Sequence, residues 1–191
     1  LAGTSFATPI VTGIVIKLLE EAPALQLFPE AVSAILIASA TNANGQSDRW
    51  DNRAGAGIVN YRRAREILKN STCRAFYNNN YAQNSVIMSS EGFTAKKGEK
   101  IRAVAIWSAN SKTSAWGDAV QSNIHTDYNL ILNFVGSSDV SMIQGGGSTN
   151  MEFFVLKISL LVESTFRLDV KQANKKIIND DDYGALAWYI E

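Results

Sequence analysis

Apolar positions recur along the 191 residues at two different periods, and the change of period divides the chain. Near the start, Ile10, Ile14 and Leu18 follow one another at helical spacing, with Val11, Val15 and Leu19 beside them, which predicts a helix from about Thr4 to Glu21. The loop APALQLFPE follows, and Pro29 suits the first position of a second helix running to about Ala40. On that helix Val32, Ile35, Leu36 and Ser39 form the expected apolar face. The polar, glycine-rich stretch TNANGQSDRWDNRAGAG reads as a loop, and Gly55, Gly57, Ile58 and Val59 as a short extended piece. Asn60 is then the expected cap of a third helix, Tyr61 to about Lys69.

From about Ser71 the period shortens to two. IRAVAIW (101–107) is a nearly continuous apolar run, suited to a strand buried on both faces. DYNLILNFV sets Tyr128, Leu130, Leu132 and Phe134 against Asn129 and Asn133, and FRLDVKQ sets Phe166, Leu168 and Val170 against Arg167, Asp169 and Lys171. MEFFVLKISL and ALAWYIE add strands, while KKGEK and GGGST mark turns. Short strands without intervening helices predict an antiparallel β-sandwich. The fold class is therefore α+β, with a helical part over residues 1–70 and a β-sandwich over 71–191.

Composition adds limits. An apolar share of 46% with 19% charged residues is that of a folded chain with a sizeable core. Lys+Arg and Asp+Glu are both 18, so no bulk field favours nucleic acid or an anionic membrane, and no apolar run reaches membrane-spanning length. The single cysteine, Cys73, excludes an internal disulfide framework.

The candidate chemistry lies in GTSFATPIVTG, residues 3–13. Ser5 stands where a helix begins, and free backbone N–H groups with the positive end of the helix dipole favour negative charge there. Such a place suits an acyl-transfer nucleophile, whose own N–H can stabilise the oxyanion. On physics alone a capping serine is the commoner reading. The string, however, resembles the nucleophile segment of the subtilisin-like serine proteases (subtilases), GTS-x-[AS]-x-P-x-[VI]-x-G. Gly3, Thr4, Ser5, Ala7, Pro9, Val11 and Gly13 occupy its fixed positions. A second string, GAGIVNYRRAREIL, is similar to the segment that closes subtilase catalytic domains. Together the two extend the resemblance over about residues 1–69.

The resemblance implies that Ser5 is the catalytic serine of a secreted serine endopeptidase. Residues 1–70 would be the helical C-terminal piece of its α/β catalytic domain. The chain opens two residues before the motif, so it reads as a C-terminal fragment of a longer protein, with the triad histidine and aspartate and the oxyanion-hole asparagine upstream. The expected partners are a protein or peptide substrate and that upstream remainder of the catalytic domain. Alone, the chain is expected to be inactive and to self-associate through its uncovered apolar helix.

The second half resembles the jelly-roll domain that follows the catalytic domain in some bacterial subtilases, through Trp107, Asp127, Asn129, Leu130, Asn150, Glu152 and Phe166. It lacks a clear acidic residue after Trp107, and Ser164-Thr165 replaces the usual glycine turn, so calcium enters by family resemblance only and no metal ligand or other cofactor is assigned. His125, the one histidine, lies downstream of Ser5, whereas the subtilase order places the triad histidine upstream. Asp180, Asp181 and Asp182 read as a solvated turn rather than a cation site, Arg62, Arg63 and Arg65 as a solvated helix face, and Trp107, Trp116 and Trp188 as packing aromatics rather than sugar platforms. A rival reading of another class is a non-catalytic β-sandwich interaction module carrying a vestigial protease segment.

Overall fold

The computed structural model describes residues 3–44, 46, 48, 50–51, 53–78, 82–108, 126–135, 141–144, 150–160, 162–173 and 182–191. Three α-helices come first: α1 (Thr4–Glu21), α2 (Pro29–Ser39) and α3 (Tyr61–Lys69), with a 3₁₀ turn at Pro23–Leu27. The described strands are β1 (Cys73–Asn78), β2 (Val86–Ser89), β3 (Phe93–Ala95), β4 (Lys100–Trp107), β5 (Tyr128–Phe134), β6 (Ser141–Gln144), β7 (Met151–Lys157), β8 (Ser164–Gln172) and β9 (Asp182–Ile190). The α+β class and the three expected helices are borne out. Asn60 caps α3 as expected, its Oδ1 accepting the Arg63 N–H at 3.2 Å.

The strands make two antiparallel sheets. One has the order β1-β9-β4-β7; the other runs β2-β8-β5-β6, with β3 also paired to β8. In the first, Ala103 stands opposite Phe154 on one side and Trp188 on the other. In the second, Leu130 and Leu132 of β5 stand opposite Val170 and Leu168 of β8. Side chains from both sheets form one apolar cluster, in which Ile101, Ala103, Ala105, Trp107, Leu186 and Trp188 of the first meet Tyr128, Leu130, Phe166, Leu168 and Val170 of the second.

Because side chains alternate along a strand, the remaining positions of β4 and β9 face away from that core. Val104 and Ile106 of β4, with Ala185 and Ala187 of β9, join a second cluster with Ala31, Ala34, Ile35 and Ala38 of α2, Leu18 of α1, and Ala64 and Ile67 of α3. The helices thus cover the outer face of the first sheet. That cover is why IRAVAIW carries apolar residues without alternation, as a strand buried on both faces requires.

The buried face of α2 differs from the expected one. Val32 and Leu36 are half-buried, while Ala31, Ala34, Ile35, Ala38 and Ser39 are buried. The sheet offers alanines at Ala185 and Ala187, so the helix approaches with its own small side chains.

The loop between α2 and α3 is closed by reciprocal backbone hydrogen bonds between Thr41 and Ile58, of 2.9 and 2.7 Å. Gly57 makes this closure possible: its φ is +120°, and a Cβ there would lie 2.1 Å from the Thr41 carbonyl oxygen.

Ile35 is fully buried between α2 and the sheet. Ile35→Ala should lower the unfolding free energy by about 2–5 kcal/mol, read as a shift in urea midpoint. A loss under 0.5 kcal/mol would mean that the helix is not seated on the sheet.

Candidate functional site

Ser5 is the second residue of α1. Gly3 precedes the helix at φ 146°, in a region that disfavours other residues, and its carbonyl accepts the Phe6 N–H at 3.1 Å. No side chain caps this terminus, so Ser5 does not act as a capping serine. Thr8 and Thr12 donate their hydroxyls back to the carbonyls of Thr4 and Thr8, at 2.9 and 3.0 Å. Ser5 is exposed. Its N–H belongs to the first turn, where no intrahelical carbonyl can accept it, and the dipole there favours an anion.

The helix behind Ser5 holds large apolar side chains in solvent, beside a Thr4-Thr8-Thr12 stripe and an exposed Lys17–Glu20 ion pair. Phe6, Ile10 and Ile16 are 50%, 60% and 52% exposed, and Leu18 is its one fully buried residue. Val11 lines a cavity of about 180 Å³ with Leu36, Ile37 and Ala40 of α2 and Trp50, Ala56, Gly57 and Val59 of the loop. At the far end of α1, Glu21 accepts hydrogen bonds from Tyr61 (2.6 Å) and Arg65 (2.7 Å) of α3.

The other candidates separate on inspection. His125, Trp116, Asp180 and Asp181 lie outside the described residues. Asp182 is buried at the start of β9, where it accepts the Tyr128 hydroxyl at 2.9 Å. It is therefore not part of a solvated turn; facing the core, it needs the partner that Tyr128 supplies. Trp107 is buried and donates to the Thr126 carbonyl at 3.1 Å, and Trp188 stacks on Phe93 at 5.7 Å, so both are packing aromatics. Of the arginine trio, Arg62 is exposed, Arg65 is paired with Glu21, and Arg63 is paired with Glu191 and lies over the Tyr189 ring, which corrects the picture of one solvated face. Burial pushes the Cys73 thiol up to about 12, which removes it as a nucleophile.

Glu152, buried on β7, was matched in the sequence only as part of a pattern. Burial, and then the charge of Asp127, push its pKa up to about 7. Asp127 is itself raised by burial, eased by a hydrogen bond from the Tyr128 backbone. A calcium shell needs six to eight oxygens. Among the described residues no group of three or more His, Cys, Asp or Glu side chains gathers that could hold a metal ion. The residue that sequence reasoning missed is Arg102, fully buried in β4; its signal was a lone charge inside the apolar run 101–107.

Residues 1–57 match the model of the Subtilase family, which takes in the whole Ser5 segment and ends as the second string begins. No curated protein matches the chain. Among the described residues no helix is long and apolar enough to cross a membrane.

The Glu152 carboxyl keeps its proton to about pH 7 in the fold, against an ordinary value of 4.5. The folded state then binds more protons across that window, so stability is greatest at its acidic end and falls as pH rises towards 7. The melting temperature should be a few degrees higher at pH 5.5 than at pH 8, and Glu152→Gln should flatten the difference. An unchanged pH profile in that variant would assign the effect elsewhere.

Proposed function

We propose that this chain carries the nucleophile of a subtilisin-like serine endopeptidase. The observation that carries the reading is Ser5 itself: exposed and uncapped in the first turn of an apolar helix, within a segment matched by the Subtilase family model. In the reaction, the Ser5 Oγ attacks the scissile carbonyl carbon while a histidine, oriented by an aspartate, takes its proton. The oxyanion draws on the Ser5 N–H and an asparagine side chain. Collapse of the tetrahedral intermediate expels the amine, which takes the proton back from the imidazolium. Water then hydrolyses the acyl-serine ester by the same route. The histidine, the aspartate and the asparagine come from the rest of the catalytic domain, so the 191 residues alone are inactive.

The seat of that remainder is the uncovered surface of α1. A contiguous exposed apolar surface marks a place where another layer packs; burying Phe6, Ile10 and Ile16 would contribute about 1.5–3 kcal/mol each. Residues 1–70 are on this reading the end of the catalytic domain, and residues 71–191 a β-sandwich of jelly-roll type that follows it in a secreted enzyme.

The full-length protease should hydrolyse peptide bonds, and Ser5→Ala should reduce kcat about 10⁶-fold, the size of loss known for a subtilisin nucleophile. A Ser5→Ala protein that retains activity overturns the nucleophile assignment, and a full-length protein without peptidase activity favours an interaction module with a vestigial segment.

The uncovered helix makes a second prediction. The isolated chain should self-associate in a concentration-dependent way, measured by size-exclusion chromatography with light scattering. A strictly monomeric chain with strong amide protection across residues 5–19 would show that α1 needs no partner.

A further inference from the structure

Arg102 is the one charged side chain in the run Ile101–Trp107 and is 1% exposed. Ile101 and Ala103 point into the core between the sheets, so Arg102 points to the helical side, with Val104 and Ile106. Its Nη1 donates to Asn42 Oδ1 at 2.9 Å and its Nη2 to the Ala56 carbonyl at 2.7 Å. Its guanidinium lies over the Phe153 ring, 5.2 Å from the centroid, and Trp50 meets the same ring edge-on at 6.2 Å. Asn42 also donates to Asp48 at 2.7 Å, and Asp48 pairs with Lys100 of β4 at 2.9 Å.

Two cations of one strand therefore hold the loop between α2 and α3, and Arg102 grips it near both ends. An apolar side chain would fill this site at least as well, because burying a charge costs more than its pairing commonly returns. What the guanidinium adds is direction: a planar fork that fixes two acceptors on opposite arms of one loop. The loop in turn shares the 180 Å³ cavity with Val11 of α1, six residues along the helix from Ser5.

We propose that Arg102 is a positioning residue: from the sheet it fixes the two arms of the loop at Asn42 and Ala56 and, through the cavity wall that this loop shares with Val11, the placement of the helix bearing Ser5. The consequence for catalysis rests on the protease reading above; the structural coupling does not.

The test is amide hydrogen exchange on the 191-residue chain, read at Thr41, Asp51, Gly55 and Ile58, whose N–H groups close the loop. Arg102→Met should speed exchange at these four by on the order of 10- to 100-fold, the size expected for losing hydrogen bonds to a charged group. Exchange in β5 and β8 should stay as in the parent chain. Arg102→Lys, which keeps the charge but loses the fork, should recover only part of the protection. Asn42→Ala should speed the same four amides, with no added effect on top of Arg102→Met. If Arg102→Met does not fold, Asn42→Ala alone decides, through those amides. No change at the four, or equal acceleration throughout β5 and β8, overturns the proposal.

In the full-length protease, Arg102→Met should slow labelling of Ser5 by a fluorophosphonate at least tenfold, with Ser5→Ala as the blank. Labelling at the parent rate overturns the link to Ser5. A parent that is never labelled at Ser5 overturns the protease reading instead, and leaves the exchange result to decide the role of Arg102.

Discussion

Burial of β4 and of residues 184–188 of β9 on both faces is the constraint on which the arrangement depends. A strand in that position has no solvent side, so each of its residues must suit one of two neighbours. Towards the second sheet the neighbours are large, and Trp107 and Trp188 fill the space among Tyr128, Phe93 and Phe166. Towards the helices they are small, and Ala185 and Ala187 meet the alanines of α2. Small side chains on both partners let backbone approach backbone and keep packing dense without long side chains to order. The same closeness leaves little room for a charge, which is why the one that is present, Arg102, is enclosed by hydrogen-bond acceptors and an aromatic face.

The three helices answer this constraint differently. On α3 the buried residues Ala64 and Ile67 oppose exposed Arg62, Arg65 and Lys69, while half-buried Arg63 pairs with Glu191 and Arg65 with Glu21. α2 lies flat on the sheet and buries its alanines. α1 reaches the common core through fully buried Leu18 and partly buried Ile14, towards its C-terminal end, where Glu21 ties it to Tyr61 and Arg65. Its N-terminal half, with Ser5, extends away from that anchor. The charge-stabilising end of the helix is thus turned outward, and the apolar body behind it is open to a further layer.

What could be read from the sequence followed from periodicity and from local backbone chemistry. The bounds of the three helices were legible because apolar spacing, Pro29 at the start of α2 and Asn60 before α3 act within a few residues. The two-faced burial of 101–107 was legible because a run without polar alternation admits few other placements. The true face of α2 was not, because Val32 and Leu36 outweigh alanines in any hydrophobicity pattern; only the alanines waiting on β9, about 150 residues away, reverse the preference. β1 was missed for a related reason: its residues CRAFYN do not alternate cleanly, and pairing with β9 defines it. For the candidate site, the sequence marked Ser5 through its surrounding string, whereas Arg102, Asn42 and Asp48 carry no local signature. Their meaning lies in the meeting of segments about 50 to 60 residues apart.

Arg102 and Glu152 together show how this fold accommodates charge in its interior. A guanidinium stays ionised under almost any burial, so it persists only where acceptors are brought to it, and here a separate segment brings them. Such a group necessarily links two parts of the chain. A carboxyl has another course: it can keep its proton. Glu152, with Asp127 as its charged neighbour, does so up to about pH 7, which relieves the repulsion. The first solution gives connection and the second gives sensitivity to pH. Only the first can carry positional information from the sheets to the loop beside α1, because only there does a buried group take a direction from one element and impose it on another.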